Sequence, residues 1–127
     1  MNLPKPPAEV PVISRVNALA PKMQDAVLAI VKEMADAGHN AKVFETLRTE
    51  ERQAFLYGFG RTYDDPAPHQ RGTVTKVEDA WKGWHAFGLA VDIVEDDKTP
   101  WNASQSFWQT LGKLAEKHNL TWGGRWK

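Results

Sequence analysis

The stretch WHAFGLAVDIV, residues 84–94, combines a predicted buried strand with two side chains that can bind a metal ion. Its apolar second half is typical of a buried β-strand. His85 precedes this strand, and Asp92 lies on it among valine and isoleucine neighbours. An ionised carboxylate among buried residues is costly unless it is paired or metal-bound, and imidazole and carboxylate groups both bind zinc well. Two interpretations stay open: a metal half-site, or an aspartate that accepts backbone N–H bonds beside a packed or surface histidine.

The segments before this stretch predict two helices and a second strand. Pro21 stands at a first-turn position, apolar residues follow at helical spacing, and Gly38 suits the C-terminal end of that helix. Residues 41–49, AKVFETLRT, have the alternating, β-branched character of a strand. Residues 49–60, TEERQAFLYGFG, predict a second helix with Thr49 as its N-cap. The apolar positions of the first helix are Met23, Ala26, Val27, Ile30, Val31 and Met34.

The segments after it predict a third helix and a further strand. Residues 104–118 have helical periodicity, and residues 120–127, LTWGGRWK, indicate a short strand that enters a glycine turn. Residues 60–80 contain two prolines and an Asp-Asp pair, which predict a loop. The inner stripe of the third helix comprises Phe107, Trp108, Leu111, Leu114 and Ala115.

The whole pattern predicts one domain of the α+β class, in which about three helices pack against a small antiparallel sheet. The length of 127 residues is usual for one domain. Residues 1–12 carry four prolines. We therefore expect an extended N-terminal arm over residues 1–13 and the folded domain over residues 14–127.

Composition argues against several classes of partner and site. Lysine plus arginine (16) equals aspartate plus glutamate (16), so no basic field predicts a nucleic-acid partner. No apolar run approaches the roughly 20 residues of a membrane span. The N-terminus lacks the apolar core of a signal peptide, so we expect synthesis in the cytoplasm. Because the chain has no cysteine, any metal must be bound by His, Asp or Glu.

Four segments, in order, resemble one family of zinc peptidases. HAFGLAVD (85–92) resembles the His-x-x-Gly-x-Ala-x-Asp signature of the D-alanyl-D-alanine carboxypeptidase and L-alanyl-D-glutamate endopeptidase family, which includes phage endolysins. ETLRTEERQ (45–53) resembles its strand-to-helix segment with a substrate-facing arginine. LYGFGRT, followed by GTVTKVEDAWKGWH (72–85), and LTWGGRW (120–126) resemble segments of the endolysin-like branch. The resemblance implies a hydrolase of cell-wall degradation that acts on peptidoglycan stem peptides.

The resemblance also implies roles for single residues. His85 and Asp92 match the first two zinc ligands, and Arg48 matches the arginine that steadies the scissile carbonyl oxygen. Gln53 matches a glutamine near the substrate, although a polar residue on an exposed helix face is an equal alternative. Arg48 has the alternative of a surface arginine at a strand end. Two aromatic residues would wall the substrate cleft, with core packing as their alternative role: Trp84 and Phe87. We expect His69 and His118 to be solvated and not metal-bound.

Two departures from the family pattern affect the predicted activity. Gly83 stands where the family usually has a serine. After the Trp-Gly-Gly segment the family continues to an acidic general base and, three positions later, a histidine that is the third ligand; this sequence ends at Lys127, before either position. We therefore expect a C-terminally incomplete, inactive or nearly inactive metallopeptidase domain. The alternatives are a non-catalytic peptidoglycan-binding pseudoenzyme, and an enzyme completed by another chain. We also expect a tendency to form homodimers through an exposed strand edge.

The resemblance favours some substrates and settings over others. The L-alanyl–D-glutamate bond is favoured and the D-alanyl–D-alanine bond is second, because GTVTK and WGGRW resemble the endolysin-like branch. A phage or prophage origin follows from the same segments. We expect the protein to reach the cell wall after release or lysis.

Overall fold

The computed structural model describes residues 3–64, 75, 78 and 83–125, and has the predicted α+β architecture. In this part of the chain three α-helices accompany a two-stranded antiparallel sheet, which confirms the predicted fold class. Within these residues, no helix combines the length and apolar character that crossing a bilayer requires. The elements in chain order are α1 (Pro21–Asp36), β1 (Ala41–Glu45), α2 (Glu50–Gly58), β2 (Asp92–Glu95) and α3 (Gln105–Lys117).

Helix α1 forms as its sequence predicts. Pro21 occupies the first turn, where its missing N–H costs no intrahelical bond. The buried stripe consists of Met23, Val27, Ile30 and Met34, at spacings of three and four residues. Gly38 follows the helix at a φ of +87°, a left-handed conformation that glycine adopts without strain.

The register of the sheet places two carboxylates opposite each other. Strands β1 and β2 are antiparallel, with Ala41 facing Glu95 and Val43 facing Ile93. After an irregularity beyond Val43, Glu45 faces Asp92. Like charges directly opposite on neighbouring strands repel each other. The pairing therefore requires cations nearby, and it fixes the end of β1 beside the start of β2.

Two apolar clusters support this sheet. Helices α1 and α3 pack together over Ile93, and Phe107 is fully buried between them. Helix α2 and the residues just after it form the second cluster, in which Phe59 contacts the rings of Phe55 and Tyr63. Thr49 caps α2 as predicted, because its hydroxyl accepts a bond from the Arg52 N–H.

The N-terminal segment bonds through its backbone carbonyls to residues that follow β1 and α2 in the chain. Residues 3–15 include no helix or strand. The carbonyl of Ile13 accepts a bond from the Thr46 N–H at 2.8 Å, and the carbonyl of Pro4 accepts one from the Asp64 N–H at 2.9 Å. Val10 packs against the cluster on α2. This segment thus lies beside the end of β1, where the candidate site begins.

The strand predicted for residues 120–127 is wrong over the described part. Residues 120–122 have no regular structure, and Gly123–Arg125 form a short 3₁₀ turn. The cause is the indole of Trp122, which packs so closely on α3 that a Cβ on Gly112 would lie 2.4 Å from it. A Cβ on Gly124 would lie 2.3 Å from the same ring. The chain therefore turns around the indole and does not extend.

Glu33→Gln tests the link between α1 and the end of α3. Glu33 accepts bonds from Lys117 Nζ at 2.5 Å and His118 Nε2 at 2.6 Å. The bond from Lys117, then that from His118, lowers the pKa of Glu33. A lowered folded-state pKa stabilises the fold above the unfolded pKa, and this contribution is lost as pH falls through the folded value. We expect a lower melting temperature for Glu33→Gln at neutral pH, and no difference from the wild type in acid.

The matched control for this comparison is Asp25→Asn, which neutralises an exposed carboxylate on the same helix. Thermal unfolding followed by circular dichroism across the acid range measures both variants. An equal effect of Glu33→Gln at neutral and acid pH would contradict the ion-pair account.

Candidate metal and substrate site

His85 is oriented by a turn and by a backbone carbonyl. It lies on a 3₁₀ turn, Trp84–Phe87, which ends at Gly88 with a φ of +68°. Its Nδ1 is 2.8 Å from the carbonyl oxygen of Thr46. Because a carbonyl oxygen only accepts, Nδ1 carries the donated proton and the lone pair of the neutral ring is on Nε2. Metal-binding histidines have the same arrangement, with the second nitrogen bonded to a carbonyl or carboxylate.

Asp92 faces the free nitrogen of this ring. Its Oδ2 lies 3.8 Å from His85 Nε2, and the Asp92 side chain is 31% exposed. Burial raises the pKa of the Asp92 carboxyl, and the positive charges of His85, in its protonated form, and of Arg48 oppose that rise. A partly desolvated carboxylate of this kind gains from a bound cation. An imidazole nitrogen and a carboxylate oxygen are both common zinc ligands, so His85 and Asp92 would be the residues that hold such an ion here.

Arg48 lies in the same site and is not a surface residue. Its side chain is 13% exposed, so the alternative of a surface arginine is wrong. Nη2 lies 2.9 Å from Glu45 Oε1 and 3.6 Å from Asp92 Oδ2. The backbone N–H of Arg48 donates to the carbonyl of His85 at 3.0 Å. The backbone and side-chain bonds of Arg48 therefore hold its guanidinium beside the candidate ligands.

Gln53 supports the guanidinium of Arg48 from helix α2. Gln53 is 4% exposed, so the alternative of an exposed helix face is wrong. Its Oε1 accepts a bond from Arg48 Nη1 at 3.1 Å, and its Nε2 donates to Thr75 Oγ1 at 3.2 Å. The buried Gln53 amide thus links Arg48 to Thr75, which precedes His85 in the chain.

Trp84 and Phe87 flank His85 on its turn and are exposed. Their exposed fractions are 68% and 52%, so the alternative role in core packing is wrong. Beyond Asp92, a cavity of about 280 Å³ opens beside β2. Most of its lining is apolar or aromatic: Val91, Ile93, Trp101, Trp108, Leu111 and Trp122, with Gly123 and Gly124 at one side. Aromatic surface therefore lies on the turn that carries His85 and in the cavity that Asp92 lines.

Two charged residues of the site were not predicted from the sequence. Glu45 is 1% exposed and Arg52 is 4% exposed. Arg52 Nε lies 3.0 Å from Glu45 Oε2. The sequence signal that could have indicated them is their spacing from Arg48. Glu45 lies three residues before Arg48, and Arg52 lies four residues after it.

Among the described residues, no further histidine joins His85 and Asp92. His118 pairs with Glu33 on α1 and is 24% exposed, so its ring is partly solvated. His69 lies outside the described residues. Across residues 3–64 and 83–125, with 75 and 78, no group of three or more His, Cys, Asp or Glu residues can hold a metal ion. The donors in this part fit zinc in kind but supply two ligands, whereas a catalytic site takes three from the protein.

Gly88→Ala tests whether the turn beneath His85 depends on close packing. A Cβ on Gly88 would lie 2.9 Å from the Ala18 carbonyl oxygen and 3.0 Å from the Ala20 nitrogen. The matched control is Gly38→Ala, which has the same sign of φ and open space around its Cβ. We expect the control to lose about 1–2 kcal/mol of unfolding free energy, and Gly88→Ala to lose about 1–3 kcal/mol more. Urea denaturation measures both, and equal losses would contradict the close packing of the turn.

Comparison with known families supports the resemblance of the sequence. Residues 77–127 match the family model described as D-alanyl-D-alanine carboxypeptidase. No curated protein matched the chain. The matched range contains His85, Asp92 and the Trp-Gly-Gly segment. This match confirms the predicted resemblance over residues 77–127, the range that contains both candidate ligands.

Proposed function

We propose that this chain is a zinc-dependent peptidoglycan peptidase domain in which His85 and Asp92 bind the metal. One observation carries the proposal: His85 Nε2 and Asp92 Oδ2 lie 3.8 Å apart while Nδ1 is bonded to the Thr46 carbonyl. Both residues belong to the range that matches a peptidase family related to cell-wall carboxypeptidases. That relation supports a peptidoglycan stem peptide as the substrate.

The surrounding residues supply orientation and charge for amide hydrolysis. Bound zinc supplies an activated water molecule and polarises the scissile carbonyl. Arg48 donates to the oxygen that gains charge in the transition state, a contribution of about 10²–10³-fold in comparable sites. Gln53 steadies the Arg48 guanidinium through Nη1. The exposed rings of Trp84 and Phe87 contact the substrate beside His85.

The finer assignment follows the resemblance to the endolysin-like branch. We propose the L-alanyl–D-glutamate bond first and the D-alanyl–D-alanine bond second. A phage setting, in which the protein reaches the wall after release or lysis, follows from the same segments. Because the described residues supply two ligands, we expect weak zinc binding and little or no turnover from this 127-residue chain.

Zinc titration by calorimetry tests the metal assignment. We expect weak one-to-one binding in the wild type, and Asp92→Ala to weaken it by more than about tenfold because a ligand is lost. His85→Ala should have the same effect. The matched control is Asp96→Ala, which removes an exposed carboxylate just past β2 that pairs only loosely with Lys42 at 3.7 Å. Zinc binding that Asp92→Ala leaves unchanged would contradict the proposal.

A second candidate function is stem-peptide binding without catalysis. The observation that favours it is the absence of a third candidate ligand from the described residues. In that case the exposed rings of Trp84 and Phe87 form a recognition surface, and the Arg48 guanidinium beneath it supplies a positive charge. The same residues serve both functions, so turnover distinguishes the two.

Synthetic stem peptides with either scissile bond separate these functions. We expect binding that Trp84→Ala weakens about fivefold or more, as for exposed aromatic contacts at interfaces. The matched control is Leu28→Ala, which truncates an exposed apolar side chain on α1. Mass spectrometry after incubation with zinc detects cleavage. Cleavage that is lost in His85→Ala would contradict the expected inactivity and exclude the non-catalytic function.

A further inference from the structure

Glu45 is a fully buried carboxylate whose two oxygens each face a guanidinium. Oε1 accepts from Arg48 Nη2 at 2.9 Å, and Oε2 accepts from Arg52 Nε at 3.0 Å. Hydrogen bonds between ionised partners are shorter and stronger than neutral ones. A buried charge persists only when such partners compensate it. Glu45 therefore connects the two arginines of the site.

Arg52 is fixed independently of the candidate ligands. Its Nη1 donates to the carbonyl of Val10 at 2.9 Å and lies 3.8 Å from Glu9 Oε1. Its backbone N–H donates to the capping hydroxyl of Thr49. With 4% exposure it has little freedom to move. Arg52 thus compensates the negative charge at Oε2 of Glu45 and holds that carboxylate in place.

The position of Arg48 follows from this anchored carboxylate. Nη2 lies closer to Glu45 Oε1, at 2.9 Å, than to Asp92 Oδ2, at 3.6 Å. The Arg48 Nε is buried and has no hydrogen-bond partner among the described residues, so the two Nη groups hold the guanidinium. Without Glu45, the nearest carboxylate to which Nη2 can turn is Asp92.

We propose that Glu45 is a positioning residue that holds the Arg48 guanidinium back from Asp92, with Arg52 as its counter-ion. Asp92 is then left to bind a cation, and Arg48 stays within reach of the site without pairing fully with a ligand. The role of Arg48 toward substrate rests on the proposed function. Its anchoring by Glu45 does not, and is measurable without metal or substrate.

Nuclear magnetic resonance of the arginine side chains tests this anchoring in the metal-free chain. Rotation about the Nε–Cζ bond is slow while both Nη groups are bonded, and Arg48→Lys identifies the signal. We expect Glu45→Gln to speed this rotation for Arg48 by about tenfold or more, since one charge-assisted bond is lost. The matched control, Glu33→Gln, makes the same change at a distant ion pair and should leave Arg48 unaffected. Unchanged rotation of Arg48 in a folded Glu45→Gln variant would overturn the proposal.

A second variant keeps the test decisive if Glu45→Gln alone does not fold. Glu45→Gln combined with Arg52→Gln removes one anion and one cation, so no buried charge is left uncompensated by the change. The same faster rotation of Arg48 is expected, and slow rotation would overturn the proposal. Zinc affinity is a further readout: both variants should bind zinc several-fold more weakly, because Arg48 then competes for Asp92. If the wild type binds no zinc, the proposed function fails while the rotation measurement still decides the role of Glu45.

Discussion

The facing of Glu45 and Asp92 across the two strands is the constraint on which the site depends. Two carboxylates at paired positions repel each other unless cations lie between or beside them. Arg48 and Arg52 meet that requirement, one between the carboxylates and one behind Glu45. The sheet, the start of α2 and the N-terminal segment are therefore joined by charge as well as by apolar packing. The same arrangement leaves Asp92 partly desolvated and open to a further cation.

His85 reaches this charged end of the sheet by a separate route. Its turn packs against the segment before α1, where the carbonyl of Gly88 accepts a bond from the Ala20 N–H at 3.0 Å. The imidazole then donates to Thr46, the residue that directly follows β1. Backbone groups thus orient both the ring and Arg48, whose N–H bonds the His85 carbonyl. The side-chain groups that this arrangement leaves facing the site are His85 Nε2, the Asp92 carboxylate and the Arg48 guanidinium.

Local patterns allowed prediction of the three α-helices and of both strands of the described sheet. The proline at the start of α1, its apolar spacing and the Thr49 cap depend on near neighbours, so the sequence indicated them directly. The same local patterns could not predict the long-range contacts of the site. The buried state of Glu45 depends on the packing of Arg52 and the N-terminal segment, which no local period encodes.

The errors have a physical reason of the same kind. The exposure of Trp84 depends on how its turn packs, and composition alone favoured the core for an aromatic residue. The segment around Trp122 has strand-like composition. Because Gly112 on α3 has no side chain, the Trp122 indole packs directly against it, and the chain turns around the ring. In both cases tertiary contacts override local preference.

Diffraction at the zinc absorption edge, on crystals grown with zinc, shows directly whether His85 and Asp92 bind the metal. We expect one anomalous peak at about 2.0–2.2 Å from both His85 Nε2 and Asp92 Oδ2. A peak found at the pair of Glu33 and His118 instead, or no peak beside Asp92, would contradict this expectation.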